Sequence, residues 1–338
     1  MGQCPWTSGS LAPYPRRAVS MTAEKFRLVT RSDFDGLACA VLLRHLDMID
    51  EITFVHPKDV QDGAVEITNR DILTNLPYAA AAHVVFDHHH SETIRTGGTA
   101  PNHVIDAAAP SAARVVYDYF GGRDTFERVS TELMRAVDQA DSADYSLADI
   151  LEPSGWTLLN FLMDSRTGLG RFRDFRISNY QLMMQLIDEV LQQDSVEKIL
   201  ATPDVAERVA LYHDQSRLFE DQLTRVCSTA GDLVIADLRH EDAIYAGNRF
   251  MIYALFPECR VSAHLIWGKQ RQNTVIAMGK SILDRTSPVD IGALMLGYGG
   301  GGHHAAGTCQ IPHERTATVL DEITDAVNRA REAAPERA

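Results

Sequence analysis

Residues 26–46 read FRLVTRSDFDGLACAVLLRHL, and this stretch decides the fold class. Phe26 to Val29 is a short apolar run that leads into the polar cluster Thr30 to Asp35. From Gly36 onward the apolar residues of Leu37 to Leu46 recur at helical spacing. The stretch reads as strand, tight turn and helix. A second unit of the same kind follows, because Ile52 to Val55 is rich in β-formers, and Ala82 to Phe86 makes a buried strand ending at Asp87, His88, His89 and His90. Open α/β sheets gather ligands at the carboxyl ends of their strands, so both polar clusters fall where chemistry is expected.

Further along, Ser111–Phe120 is predicted helical with Pro110 at its start, as are Thr125–Ala140, Gly155–Met163 and Tyr180–Leu200. Pro203–Ser228 is an amphipathic helix, and the hinge between domains is placed there. Beyond it, Leu233–Leu238, Arg260–Gly268 and Thr274–Met278 read as strands, Ser287–Leu296 as a short helix with Pro288 in its first turn, and Thr316–Glu332 as a terminal helix. Ala79–Ala82 reads as a helix end. A chain of 338 residues exceeds the size at which single cores stop growing, so two domains are expected.

Acidic residues outnumber basic ones by 46 to 32, a formal net charge of −14, which argues against a broad electrostatic grip on long duplex nucleic acid. A small phosphate-rich substrate stays compatible, because a few cations and basic side chains can reverse the sign within one cleft. The five cysteines are scattered without CxxC spacing, which suits reduced thiols in a cytoplasmic protein. No run is long and apolar enough to span a bilayer, so no membrane partner is expected. Residues 1–22 are expected to form a disordered extension without the apolar core of a secretory signal, and Met21 stands as an alternative start.

Three constellations carry chemistry. In the first, Asp33 and Asp35 lie two positions apart at a strand-to-helix turn, where both can reach one pocket and offer oxygen ligands to a hard divalent cation. The plainer arrangement has Asp35 capping the helix and Asp33 as a solvated turn residue. In the second, a carboxylate precedes three histidines at Asp87–His90; an imidazole binds borderline metals, and a neighbouring carboxylate orients it. The third is Gly299 to Gly302 followed by His303 and His304. Consecutive glycines let backbone amides approach an anion, and the histidine can donate to a phosphate oxygen.

In this order the three signals resemble the DHH phosphoesterase superfamily, which includes RecJ-type exonucleases, oligoribonucleases, cyclic-dinucleotide phosphodiesterases and type II pyrophosphatases. The resemblance covers about Phe26 to Pro312. It implies an N-terminal parallel-sheet DHH domain over residues 23–200, a helical connector over 201–228, and a smaller α/β DHH-associated domain over 229–338, with the active site in the cleft between the domains. It also implies a pair of metal ions, Mn²⁺ with Mg²⁺ as the alternative. Asp33, Asp35, Asp71, His88 and Asp141 match as metal ligands, with Asp138 as the alternative to Asp141. Asp87 would orient His88, and His89 would contact the scissile phosphate. Gly300, Gly301, Gly302, His303 and His304 match the substrate-holding GGGH segment, with Lys280, Ser281 and Arg285 as additional anion contacts.

The sequence departs from the family where many members carry a histidine four positions before the first aspartate, since Val29 stands there. RecJ-type members have an acidic residue two positions before that aspartate, and here it is Arg31. One firm and one weaker metal site are therefore expected, or else Arg31 takes over part of the metal's work by pairing with a phosphate oxygen. The implied function is hydrolysis of a phosphoester or phosphoanhydride by metal-activated water. The implied substrate is a small phosphorylated molecule or a short single-stranded oligonucleotide, with a homodimer among the assemblies left open. The competing reading is a nucleotide-binding regulatory protein that hydrolyses weakly or not at all.

Overall fold

The strands of the first sheet are short, three to six residues each. In the computed structural model, which describes residues 25–97, 100–193 and 195–332, the chain divides into two compact units, one ending at Met134 and the other starting at Arg135. The expected extension over residues 1–22 and the alternative start at Met21 lie outside the described residues.

The first unit holds β1 (Phe26–Thr30), α1 (Phe34–His45), β2 (Ile49–Phe54), α2 (Pro57–Gln61), β3 (Asp71–Thr74), β4 (Val84–Asp87), α3 (His90–Thr96), β5 (His103–Ile105) and α4 (Ala112–Tyr119). Its five strands are all parallel, in the order β2-β1-β3-β4-β5. This is a doubly wound arrangement whose strand order reverses between β1 and β3, the place where such sheets bind ligands. Helix α1 is buried along almost its whole length, from Phe34 to Leu43. Its approach to the strand depends on Gly36, because a Cβ there would sit 2.0 Å from the carbonyl oxygen of Arg31. Val29, Leu73, Leu76, Ala82 and Val85 form an apolar cluster in this unit. Ala79–Ala82, expected as a helix end, is a turn.

Helix α5 (Thr131–Asp141) runs across the division between the units. The second unit continues with α6 (Leu147–Leu151), α7 (Gly155–Met163), α8 (Asn179–Gln192), α9 (Val196–Leu200) and α10 (Pro203–Val226). The single helix expected over Tyr180–Leu200 is thus two, the second beginning at Val196 after the N-cap residue Ser195. The mixed sheet follows with β6 (Cys227–Ala230), β7 (Leu233–Asp237), α11 (Met251–Leu255), β8 (Val261–Trp267), β9 (Thr274–Lys280), α12 (Ile291–Leu296), β10 (Gly301–His303), β11 (Ala306–Ile311) and α13 (Thr316–Glu332). Its order is β10-β11-β9-β8-β7-β6, with β7 and β8 parallel and the other pairs antiparallel. Leu233, Val261, Leu265 and Ile276 pack with Ile291, Met295, Val319 and Ile323 from α12 and α13 to form its core. Helix α12 is capped by Asp290 and begins after Pro288, not around it.

The α/β class and the two-sheet architecture agree with the expectation. The helices from residue 135 to 226 group with the second sheet.

Candidate active site

The carboxyl ends of β1, β3 and β4 bring together the polar residues of the first unit. Asp33 follows β1 and caps α1, its Oδ1 accepting from the Gly36 amide at 2.9 Å. The cap is therefore Asp33 and not Asp35. Asp33 Oδ2 also pairs with Arg31 Nε at 3.0 Å. Asp35, two residues on, is buried, and its carboxylate reaches the start of α4, where Oδ2 accepts from the Ala112 amide at 3.0 Å and Oδ1 from the Ala113 amide at 2.8 Å. A helix N-terminus favours negative charge, and each oxygen keeps a second lone pair.

Asp87 and His88 stand at the end of β4. His88 Nδ1 lies 3.2 Å from the carbonyl oxygen of Ala109, which can only accept, so this nitrogen carries the proton and Nε2 is left as a lone-pair donor. A ligand atom of His88 and one of Asp35 lie within 4.8 Å of each other. The orienting partner of His88 is thus a backbone carbonyl. Asp87, expected in that role, instead holds His89, with Oδ1 2.7 Å from Nδ1. The Asp87 side chain is fully buried, while that of His89 is 42% exposed.

Asp71 does not belong to this edge. It is the first residue of β3 and lies one strand length, roughly 10–13 Å, from the carboxyl end. Its carboxylate accepts from Arg27 Nε and Nη2 at 2.8 and 2.9 Å and from the Thr68 amide. Burial opposes ionisation of Asp71, but the Arg27 and Thr68 donors outweigh it and hold the carboxyl below the usual range. The residue that β3 presents beside Asp33 is Asn75, whose Nδ2 donates to Asp33 Oδ1 at 3.4 Å. A search restricted to aspartates passes over it. The available signal is the apolar pair Ile72–Leu73, which ends at polar Thr74 and Asn75 just before Leu76–Pro77.

Two buried acceptors at this edge, Asn75 Oδ1 and Asp87 Oδ2, meet no hydrogen-bond donor among the described residues. Buried acceptors are ordinarily satisfied. Together with the Asp35 carboxylate and the His88 imidazole they make a donor set of oxygen and nitrogen that fits a divalent cation. Val29, where the resemblance leads one to expect a histidine, is fully buried in the apolar cluster.

In the second unit, Asp141 ends α5, and the turn after it, including Ala143 in the left-handed region, is held by Arg285, whose Nη2 donates to the carbonyls of Ser142 and Ala143. Asp138 lies three residues earlier on α5, and its carbonyl accepts from the Ser142 hydroxyl. Arg285, expected as an anion contact, thus braces this turn.

The glycine segment forms edge strand β10, paired with β11. The Gly300 amide donates to the Met295 carbonyl at 3.0 Å and is not available to an anion. Gly302 is required by close packing, since a Cβ there would lie 2.3 Å from the Ala306 carbonyl oxygen, whereas Gly301 faces open space. His303 is exposed, and its Nδ1 accepts from the Ala305 amide at 3.3 Å, so Nε2 faces outward as a donor. Lys280 donates to the Ser287 carbonyl and lies 2.8 Å from His304 Nε2, while His304 Nδ1 faces Asp290. Burial lowers the Lys280 pKa. Ser281, the remaining expected anion contact, is buried and accepts from the amides of Leu283 and Asp284.

Among solved structures, the chain is similar to a pGpG-specific phosphodiesterase, PggH from Vibrio cholerae, with 56% identity over 90% of this chain and 100% of that one and a TM-score of 0.81. Remote likenesses extend to CDC45 from Entamoeba histolytica, 8% identical over 90% of this chain and 95% of that one with a TM-score of 0.49. RecJ from Thermus thermophilus in complex with Mn²⁺ is 13% identical over 90% of this chain and 52% of that one with a TM-score of 0.44. No family model and no curated protein matches the chain. No helix among the described residues is long and apolar enough to cross a membrane. With its parallel sheet, its mixed sheet and the likeness to PggH, the chain belongs to the DHH phosphoesterase superfamily and is a hydrolase of phosphoesters.

Proposed function

We propose that the protein is a divalent-metal-dependent phosphodiesterase acting on a short dinucleotide of the pGpG class, in the cytoplasm, with manganese as the working ion and magnesium as the alternative. The observation that carries this reading is the pair of buried acceptors, Asn75 Oδ1 and Asp87 Oδ2, that meet no donor among the described residues, at the sheet edge that also carries Asp35 and His88. The 56% identity to a pGpG-specific phosphodiesterase supports the substrate class.

In this reading Asp35, His88 and Asp87 Oδ2 would hold the firmer ion. Asp33 and Asn75 hold the weaker one, where the amide oxygen of Asn75 contributes no charge. A bound divalent ion activates water for in-line attack on phosphorus and offsets charge on the phosphoryl oxygens. The residues of the chain do the rest. The amides of Ala112 and Ala113 fix Asp35, and Ala109 fixes the tautomer of His88. Asp87 accepts from Nδ1 of His89 and so orients the ring, whose imidazolium form would donate from Nε2 to a phosphoryl oxygen in a charge-assisted hydrogen bond that strengthens as charge develops. Arg31, tethered through Asp33, reaches a second phosphoryl oxygen. In the second unit, His303 leaves Nε2 as a donor.

The test is release of guanosine monophosphate from pGpG by the purified chain with Mn²⁺, set against pyrophosphate and a single-stranded oligonucleotide. Turnover of pGpG supports the reading. Binding of pGpG without turnover favours the regulatory-protein alternative, and preference for pyrophosphate or the oligonucleotide overturns the substrate class.

A further inference from the structure

Helix α3 begins just after His89, and its third residue, Glu92, sends its carboxylate across to the loop that follows β3. A glutamate at this helical position ordinarily turns back to the amide that precedes the helix. Here Oε2 accepts from the Tyr78 amide at 2.9 Å, and Arg95 donates to the same carboxylate through Nε at 2.8 Å and through Nη2. Nη2 of Arg95 also donates to the Tyr78 carbonyl at 3.1 Å. One ion pair thus grips the main chain of Tyr78 at its amide and at its carbonyl. The Glu92 side chain is only 8% exposed. Burial opposes its ionisation, but the Arg95 and Tyr78 donors outweigh it and hold the carboxyl below the usual range, so the grip stays closed at neutral pH.

The Tyr78 side chain is fixed as well. Its hydroxyl donates to Asn102 Oδ1 at 2.8 Å, and Asn102 Nδ2 donates in turn to the Ala82 carbonyl at 2.7 Å. The ring stacks on His103, with centroids 4.9 Å apart. His103 is buried, and neither of its ring nitrogens meets a hydrogen-bond partner among the described residues. Burial lowers its pKa, so the imidazole is neutral near pH 7 and packs as a plate against Tyr78. A single residue therefore ties the loop between β3 and β4 to both α3 and β5.

Both ends of the grip lie close to the candidate site along the chain. Tyr78 follows Asn75 by three residues, and Glu92 follows His89 by three. The Glu92 amide donates to the His89 carbonyl at 3.0 Å, and the Asn75 amide to the Phe86 carbonyl at 3.1 Å. Between Asn75 and Tyr78, Leu76 is buried and Pro77 has its φ locked by the ring, so a shift of Tyr78 reaches Asn75 with little slack. We propose that Glu92 is a positioning residue that, through the main chain of Tyr78, fixes Asn75 with respect to His89. The inference rests on the reading above, in which Asn75 meets the weaker ion and His89 a phosphoryl oxygen. Glu92 acts through the chain that carries them.

Glu92→Gln keeps the shape of the side chain and removes the charge that closes the grip. The full chain is followed by pGpG kinetics with Mn²⁺, by calorimetric Mn²⁺ titration without substrate, and by hydrogen exchange of backbone amides. In Glu92→Gln, kcat falls about tenfold with KM within about twofold, and the weaker ion loosens severalfold while the firmer one is unchanged. Exchange at the Asn75 amide quickens together with that at Tyr78, while the amides of α1 keep their protection. Arg95→Ala, which removes the half-exposed partner, gives the same pattern at smaller size and decides alone should Glu92→Gln fail to fold. A kcat that does not change, equal weakening of both ions, or faster exchange confined to Tyr78 overturns the inference. A wild type that does not turn over pGpG overturns the proposed function instead. Coupled exchange at Asn75 and Tyr78 then upholds the grip, and exchange confined to Tyr78 overturns it too.

Discussion

Asp87 Oδ1 lies 2.7 Å from Nδ1 of His89, and its second oxygen, Oδ2, is buried without a hydrogen-bond donor among the described residues. One carboxylate therefore orients an imidazole with one oxygen and, in the proposed reading, offers the other to a cation. Asp87→Asn replaces a charged acceptor with an amide of nearly the same shape. The expected result is a ten- to hundredfold loss in kcat on pGpG, together with weaker Mn²⁺ binding, because both duties of the carboxylate fail together. Steady-state kinetics and a metal titration check it; a loss in KM alone would place Asp87 outside the chemistry.

The Arg27–Asp71 pair leads to the opposite expectation. It sits at the amino end of β1 and β3, so Asp71→Asn should leave Mn²⁺-dependent turnover within about twofold while lowering stability by about 2 kcal/mol, as a half-buried pair loses its charge. The folded-state pKa of Asp71 is lowered, so its contribution is complete above the ordinary carboxylate pKa of about 3.9 and is lost as pH falls through the folded value. Thermal melts of the two proteins should differ at neutral pH and converge below about pH 4. Loss of activity in Asp71→Asn would return this residue to the metal site.

In the proposed reading, Asn75 makes the two metal sites unequal. Its amide donates to Asp33 where a carboxylate would supply a second negative ligand. Asn75→Asp should tighten the weaker ion by about tenfold, since a charged oxygen ligand replaces a neutral one, and the left-handed backbone at this position tolerates aspartate. Calorimetry with Mn²⁺ in the absence of substrate checks this. Two equally tight sites in the unaltered protein would contradict the assignment.

His303→Ala should separate binding from chemistry. Its outward Nε2 is a single donor, so the expected loss is about ten- to a hundredfold in kcat/KM on pGpG, with a small activated phosphodiester spared. Equal loss on both substrates would assign His303 to the chemical step or to folding.

The strand-turn-helix at Phe26–Leu46 and the strand before Asp87 were legible because apolar runs that stop at clustered carboxylates and histidines leave strong local signals. Strands β3, β5 and β10 were not, being three or four residues long. That gap misplaced Asp71: without β3, the sequence does not show that Asp71 begins a strand and Asn75 follows it. Pairings across the sheet were equally hidden. Nothing in the sequence near His88 indicates the Ala109 carbonyl, 21 residues on, as its partner, so adjacent Asp87 took that role. The glycine run was read as an open cradle because local sequence carries no trace of the Met295 carbonyl that takes the Gly300 amide.

The central claim, that the edge formed by Asp35, Asn75, Asp87 and His88 is a metal-dependent phosphodiesterase centre, is tested most directly by pGpG hydrolysis with the chelated and the Mn²⁺-restored protein, alongside Asp35→Asn and His88→Ala. The account predicts that chelation abolishes turnover and Mn²⁺ restores it. It predicts that both variants fall by on the order of a thousandfold while binding Mn²⁺ more weakly. Turnover that survives chelation, or that persists in either variant at the unaltered rate, would contradict it.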